Sequence, residues 1–357
     1  MNNNTKLIHD NIEFHNVGAL ERAENYPGIE LLRFPKSISH QLEHLNSERA
    51  RFVSTISTGC ELRFVSDSET ILLTLSARYC KGTVLIFNGD FFHSMRALEE
   101  GRLTTIKIEK SERFPEVKEK MLKGKRFNSG VWRIIMGRAY DPSGNFLALY
   151  HNIDVLGHNL RPPRKDELPG KTWLAYGSSI THGSGATNHH LCYTQLAAYY
   201  SGVDVLNKGM GGSCFAEKAM IDFLVSETVW DFATFEIGVN MRNSFSSEEY
   251  EKRLRYLLTL LEKEKPENPV VLITVFPNWN TGDLSKTFNQ VSKIEDSFKE
   301  IMNRLYREFR RENLFLIEGD QLLTDTSALT ADLIHPSDYG HNLIAGNLSK
   351  NFSLFGL

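Results

Sequence analysis

The residues of this chain best suited to chemistry fall in four short clusters: "GSSIT" at 177–181, "NKGMGG" at 207–212, "GVNM" at 238–241 and "DLIHP" at 332–336. Together they hold the parts of a serine acyl-transfer site. A hydroxyl that attacks a carbonyl must pass its proton to a base with a pKa near neutrality, which makes histidine the natural choice, and the imidazole must be held by an acceptor. Asp332 and His335 stand three residues apart, close enough for the carboxylate to reach the ring locally. Pro336 biases His335 away from helical backbone angles and suits the first position of a helix over "PSDYGHNLIAGNLSKNF". The developing oxyanion needs donors, and a glycine backbone N–H, an Asn amide and the N–H of the serine itself can supply them. Taken singly, each cluster has an ordinary explanation, since Ser caps helices and Gly and Asn form turns. Their joint occurrence is what points to acyl transfer.

The elements that would position these residues read as two halves. Up to about residue 160 the chain consists of short runs rich in β-branched and aromatic residues, among them "CELRFV", "ILLTLSARY", "TVLIF", "RLTTIKIE" and "VWRIIMG". Asn88-Gly89 between "TVLIF" and "DFFHSM" predicts a hairpin with both residues at positive φ. One basic stretch, "FPEVKEKMLKGK", reads as helical. This half is expected to be an all-β, jelly-roll-like sandwich over residues 1–160. Residues 161–170, with Pro162, Pro163 and Pro169, read as a linker without regular structure. Over 171–357, near-continuous apolar runs ("TWLAYG", "VDVLNKG", "FATFEIG", "VVLITVF", "LFLIEG") alternate with amphipathic helices. That pattern predicts a parallel sheet buried on both faces in a three-layer α/β/α sandwich. In such sheets ligands bind at the carboxyl ends of the strands, where the four clusters fall.

This pattern resembles the SGNH hydrolases, the GDSL-type esterases and lipases, in a form with an N-terminal β-sandwich module. The family's Gly-Asp-Ser-Leu/Ile block is similar to "GSSIT", which implies that Ser179 is the nucleophile and that Ser178 occupies the Asp position. Its second block is similar to "NKGMGG", with the oxyanion glycine at Gly212. Its Gly-x-Asn-Asp block is similar to "GVNM", with Asn240 as a donor and Met241 in place of Asp. Its Asp-x-x-His block is similar to Asp332–His335. The resemblance implies a flavodoxin-like catalytic domain, a triad of Ser179, Asp332 and His335, an oxyanion hole of Ser179, Gly212 and Asn240, and no metal or other cofactor. With Ser and Met where the family has Asp, support of the two loops must come from other contacts.

A net charge of −3, with 41% hydrophobic and 24% charged residues, describes an ordinary globular chain and gives no electrostatic case for nucleic acid or an anionic membrane. No run reaches the ~18 apolar residues of a membrane span, and the opening residues lack a signal-type apolar core of ~7–15 residues, so the cytoplasm is the expected location. Cys60, Cys80, Cys192 and Cys214 have no C-x-x-C spacing and read as thiols, and His182, His189, His190 and Cys192 fit no common zinc pattern. Ser179 does not sit in Gly-x-Ser-x-Gly, which argues against an α/β-hydrolase, and no Lys-Ser/Thr follows "GMGG" or "GSGA", which argues against a phosphate loop.

The expected function is therefore hydrolysis of short-chain, acetyl-type esters of a carbohydrate or other small polar alcohol, with the ester as partner and a homo-oligomer admitted. An acyltransferase would use the same residues with another acceptor. A third reading is a sugar-binding sandwich fused to a pseudoenzyme, in which Phe87, Phe91, Phe92, Trp132 and Tyr140 stack on sugar rings, although aromatics alternating in strands more often form core. Trp279 and Asn280, after the fourth apolar run, are candidates for the pocket wall.

Overall fold

The computed structural model describes residues 6–42, 47–141 and 144–357, and the chain divides into two compact units. The first comprises Met1–Pro35, Ser54–Gly170 and Gly202–Asp204, and the second Lys36–Val53, Lys171–Ser201 and Val205–Leu357. Residues 36–53 thus join the second unit although they precede most of the first in sequence.

The first unit is a sandwich of two antiparallel sheets. One runs in the order Ile8–His9, Ile12–His15, Glu61–Ser66, Val131–Ala139, Gly82–Asn88, Phe91–Leu98, with Leu160–Arg161 also paired to Glu61–Ser66. The other runs Ala19–Arg22, Ile29–Leu32, Leu147–Asp154, Thr70–Arg78, Thr104–Glu109. Period-two alternation sends Leu62, Phe64, Ile86 and Ile134 of the first sheet and Leu31, Ile71, Leu73 and Ala148 of the second into one apolar core. Of the aromatics considered for sugar stacking, Phe87 and Trp132 are buried, whereas Phe92 and Tyr140 are exposed.

The same alternation places Glu61 and Arg63 on the face of their strand opposite Leu62 and Phe64, and register sets Arg133 across from Arg63. All are buried. Arg63 donates to Glu61 at 2.7 Å and to Asp204 at 2.6 and 2.8 Å, while Arg133 donates to Glu61 at 2.7 and 3.1 Å. Burial alone would raise the Glu61 carboxyl, but Arg133 and Arg63 hold it well below the usual carboxylate range. Arg133 lies 3.8 Å from the Phe127 ring centroid, which covers the cluster.

Three local expectations are corrected. The hairpin forms, but its loop is Gly89-Asp90: Asn88 pairs with Phe91 inside the ladder, and only Gly89 takes positive φ, at 55°. "FPEVKEKMLKGK" makes only a 3-10 turn, Phe114–Glu116, and a single helical turn, Glu119–Leu122. Neither buries a residue, and without an apolar face a short helix has nothing to hold it. The stretch 161–170 is not structureless, since Lys165–Glu167 forms a 3-10 turn whose Glu167 carboxylate receives Arg161 at 2.7 Å and the Arg164 N–H at 2.7 Å.

The second unit is built on a five-stranded sheet. Its strands, in chain order, are β1 (Thr172–Tyr176), β2 (Asp204–Asn207), β3 (Phe232–Glu236), β4 (Val270–Ile273) and β5 (Leu314–Ile317). The spatial order is β2-β1-β3-β4-β5, with parallel register from β1 through β5, which is the flavodoxin-like arrangement. Four long helices are α1 (Tyr193–Ser201), α2 (Ser247–Glu264), α3 (Gln290–Phe309) and α4 (Asp338–Leu354). In α2, Tyr250, Leu254, Leu257, Leu258 and Leu261 form the buried stripe, and Ser246 caps its first turn by accepting the Glu249 N–H. Helix α1 packs on α4 and α2 on α3, giving the layers either side of the sheet. No helix among the described residues is long and apolar enough to cross a membrane.

The buried charge cluster generates a stability prediction. Replacing Arg63 by Met leaves Glu61 and Asp204 short of their partner and should cost about 3–5 kcal/mol in urea unfolding of the full chain. Arg255→Met, at an exposed pair with Glu251, should cost no more than about 1 kcal/mol.

Candidate active site

Strand β1 ends at Tyr176, and the chain turns through Gly177 and Ser178 into a short helix, Ser179–His182. Ser178 caps this helix, its Oγ accepting the Ile180 N–H at 3.2 Å. The turn is tight: a Cβ on Gly177 would meet Thr181 Oγ1 at 2.1 Å and Glu236 Oε2 at 2.7 Å, so only glycine fits. Glu236 ends the neighbouring strand β3 and is buried. Its Oε2 accepts the Ser178 N–H at 2.7 Å and the Thr181 hydroxyl at 3.1 Å, and Thr181 in turn meets the Tyr193 hydroxyl at 2.8 Å. Sequence reasoning passed over Glu236. The available signal was a single charged residue in the otherwise apolar run "FATFEIG".

His335 reaches Ser179 from the segment between β5 and α4. Its Nε2 lies 2.8 Å from Ser179 Oγ, and its Nδ1 lies 2.6 Å from Asp332 Oδ2. The other Asp332 oxygen accepts the N–H groups of Ile334 and His335, each at 2.9 Å, and the Thr330 hydroxyl at 2.8 Å. Leu333 takes φ 55°, a left-handed turn that folds the carboxylate back onto the following amides. Burial pushes the Asp332 carboxyl up, but the His335 ring, these amides and Thr330 together hold it well below its ordinary value. An ionised Asp332 only accepts, which assigns the proton to His335 Nδ1 and leaves Nε2 to receive the Ser179 hydroxyl. Pro336 does not open the helix as expected. Ser337 is the cap of α4, its Oγ accepting the Gly340 N–H, so Pro336 lies outside the helix. A serine side chain satisfies a free N–H at that position, which a proline ring cannot do.

The other two clusters flank the serine. Backbone bonds from Lys208 N–H to Ala175 O at 2.8 Å and from Met210 N–H to Gly177 O at 2.7 Å continue past β2. They bring the 209–212 turn against the turn at Ser179, where a Cβ on Gly211 would lie 3.6 Å from Ser179 Cβ. Asn207 ties the same regions together, donating to Thr181 O at 2.7 Å and to Thr194 Oγ1 at 2.9 Å. Asn240 Oδ1 accepts the Cys214 N–H at 3.1 Å, which fixes its amide with the NH₂ group free to donate. The N–H groups of Ser179 and Gly212 have no acceptor among the described residues. Met241 is buried, and the adjoining Arg242 is held by Asn278 Oδ1 at 2.9 Å and by Glu295.

The remaining sequence candidates divide. The Trp279 side chain is exposed, and its backbone N–H donates to Leu333 O at 3.0 Å, beside Asp332. Asn280 is buried in its own loop, bound to Asn278 and Asn289. His189 is buried with its Nδ1 3.9 Å from Cys192 Sγ.

Two buried carboxyls give the pH dependence a sign. Burial pushes Glu236 up to about 7 against the donors from Ser178 and Thr181, and pushes Glu217 up to about 7 as well. Both are raised above an unfolded value of 4.5. Across that interval the folded state keeps protons that the unfolded chain has released, so stability is greatest below it and falls as pH rises through it. Urea midpoints should therefore decline from about pH 5 to about pH 7.5, and Glu217→Gln should flatten the slope.

The sequence model of the GDSL-like lipase/acylhydrolase family matches residues 170–352. No curated protein matches the chain. Among solved structures, a salicylyl-acyltransferase from a tetracycline biosynthetic pathway is similar at TM-score 0.74 and 14% identity, covering 99% of this chain and 98% of the other. A family two carbohydrate esterase from Clostridium thermocellum, in complex with cellohexaose, is similar at TM-score 0.61 and 12% identity over 83% of this chain and 92% of its own. An acetyl xylan esterase from the rumen bacterium Butyrivibrio proteoclasticus is similar at TM-score 0.58 and 12% identity over 98% and 96%. At these identities the likeness is one of fold. With the family match spanning more than half of its length, on a flavodoxin-like sheet, the chain belongs to the GDSL-like lipase/acylhydrolase family.

Proposed function

We propose that the chain is a serine esterase that removes a short acyl group, such as acetyl, from a carbohydrate or other small polar alcohol. The observation that carries this reading is the hydrogen-bonded line from Ser179 Oγ through His335 to Asp332. In the acylation step Ser179 Oγ attacks the ester carbonyl carbon while its proton passes to His335 Nε2. Asp332 stabilises the imidazolium and keeps Nδ1 protonated. Negative charge then develops on the carbonyl oxygen, where the N–H groups of Ser179 and Gly212 and the Asn240 amide donate to it. His335 returns the proton to the leaving alcohol, and water repeats the sequence on the acyl-enzyme. The carbohydrate part rests on the two carbohydrate esterases of similar fold.

Acyl transfer is the second reading. It is favoured by the likeness over almost the whole length of both chains to a salicylyl-acyltransferase. Transfer differs only in the acceptor, because an alcohol entering in place of water would be deprotonated by the same His335.

Turnover of an activated acetyl ester should fall by ~10⁴–10⁶ in Ser179→Ala and His335→Ala. Asn240→Ala should cost ~10²–10³, as for loss of one oxyanion donor. Near-native activity in Ser179→Ala with loss in Ser178→Ala would move the nucleophile by one residue. Product masses from a panel of acetylated sugars, with and without added alcohols, separate free acid from a transferred ester.

A further inference from the structure

We infer that Arg49 is a specificity-determining residue for an anionic group, so that the ester attacked by Ser179 carries a carboxylate, sulfate or phosphate on its acyl or its alcohol part. This rests on the esterase reading above and narrows its substrate class.

Arg49 lies in the helix Ser47–Ser54, within the residues that join the hydrolase unit. Its Nε donates to Gly211 O at 3.2 Å. A Cβ on Gly212 would stand 3.4 Å from the same Nε, whereas one on Gly211 would stand 3.6 Å from Ser179 Cβ. The guanidinium and the nucleophile therefore flank one short turn, whose Gly212 N–H is an oxyanion donor in the proposed mechanism. A carbonyl seated on that donor brings its substituents over the turn and into the neighbourhood of Arg49.

The charge state of Arg49 supports a ligand of opposite sign. The bond to Gly211 uses only one of five guanidinium donors, and among the described residues the guanidinium otherwise meets the Phe52 ring, 5.3 Å away. Arg63, Arg133, Arg242 and Arg253 each pair with a carboxylate, but Arg49 has no ion pair among the described residues. Burial lowers its pKa with no anion to offset the loss of hydration. A planar fork whose remaining N–H groups have no partner among the described residues matches carboxylate, sulfate or phosphate oxygens.

The test uses the full chain and two matched substrate pairs: 4-nitrophenyl hemisuccinate against 4-nitrophenyl butyrate for an anion on the acyl side, and acetylated glucuronate against acetylated glucose for the alcohol side. The wild type should favour the anionic member of one pair by roughly tenfold to a hundredfold in kcat/KM, chiefly through KM, as for one charge-assisted contact. That ratio should shrink with added salt. Arg49→Gln should bring the ratio close to unity, and Arg49→Lys should keep part of it. Absence of any preference in the wild type, or an equal loss on both members of each pair in Arg49→Gln, overturns the inference and leaves Arg49 as a support of the turn. If no ester is turned over, the esterase reading fails, and calorimetry with succinate, glucuronate and glucose still decides on Arg49. Anion binding abolished in Arg49→Gln upholds the inference, and no anion binding, or binding unchanged by the substitution, overturns it.

Discussion

Glu236 carries its carboxylate into the interior at the end of strand β3, and the Ser178 N–H and the Thr181 hydroxyl converge on one of its oxygens. Those two groups bracket Ser179. The family's first block places an acid just before its serine, and this chain has Ser178 there instead. The supporting acid comes from the adjacent strand, reaching under a turn that only Gly177 makes narrow enough. This support exists only once β1 and β3 are paired, so the turn at Ser179 is a product of the sheet and not of its own sequence.

That arrangement has a thermodynamic cost that the structure makes visible. Among the described residues the second Glu236 oxygen has no partner, and neither oxygen of Glu217 has one. Burial accordingly raises both carboxyls, and the Tyr176, Tyr193 and Cys214 side chains around them are raised as well by burial and nearby acids. The layer beneath the site is thus polar and buried, with its ionisable groups pushed toward their neutral forms. The first unit solves its own charge burial differently. There Glu61, Arg63, Arg133 and Asp204 are matched charge for charge, and the carboxylates stay ionised. The unmatched carboxyls under the site and the matched Glu61–Arg63–Arg133–Asp204 cluster of the first unit are opposite answers to the same desolvation penalty.

What could be read from the sequence follows from the range of the interactions concerned. The parallel strands were legible because burial on both faces leaves an apolar run with no alternation. The Asp332–His335 contact was legible because both partners lie within one turn of chain. Asn88-Gly89 marked a hairpin but not its register, since the cross-strand pair Asn88 and Phe91 decides which residues form the loop. Glu236, Thr330 and Asp338 were not legible as parts of the site, because each acts through a contact that depends on tertiary pairing or on the geometry of a loop. Arg49 was the least accessible of all. It lies in a stretch that sequence grammar assigns to the β-rich half, while its nearest functional neighbour is more than 160 residues away, the Arg49 to Gly211 separation being 162.

The site is best understood as two separately built pieces brought into register. The Asp332–His335 piece is set within its own loop, where Thr330 N–H donates to His335 O at 2.7 Å and the carboxylate collects the local amides. The Ser179 piece is set by β1, β2 and Glu236. Between their side chains runs a single hydrogen bond, from Ser179 Oγ to His335 Nε2, which is too weak by itself to fix their relative position. Other contacts do that: Asp338, in the first turn of α4, accepts the Thr187 N–H and hydroxyl at 2.7 and 2.8 Å, and His341 Nε2 meets Ser184 O at 3.0 Å. Gly185 completes the seam, because any Cβ there would lie 2.0 Å from Pro336 O. A side chain at that position would push the His335 loop away from the loop that follows Ser179. The distance from Ser179 to His335 is therefore governed by more than the bond between their side chains, along the line where helix α4 meets the loop that follows Ser179.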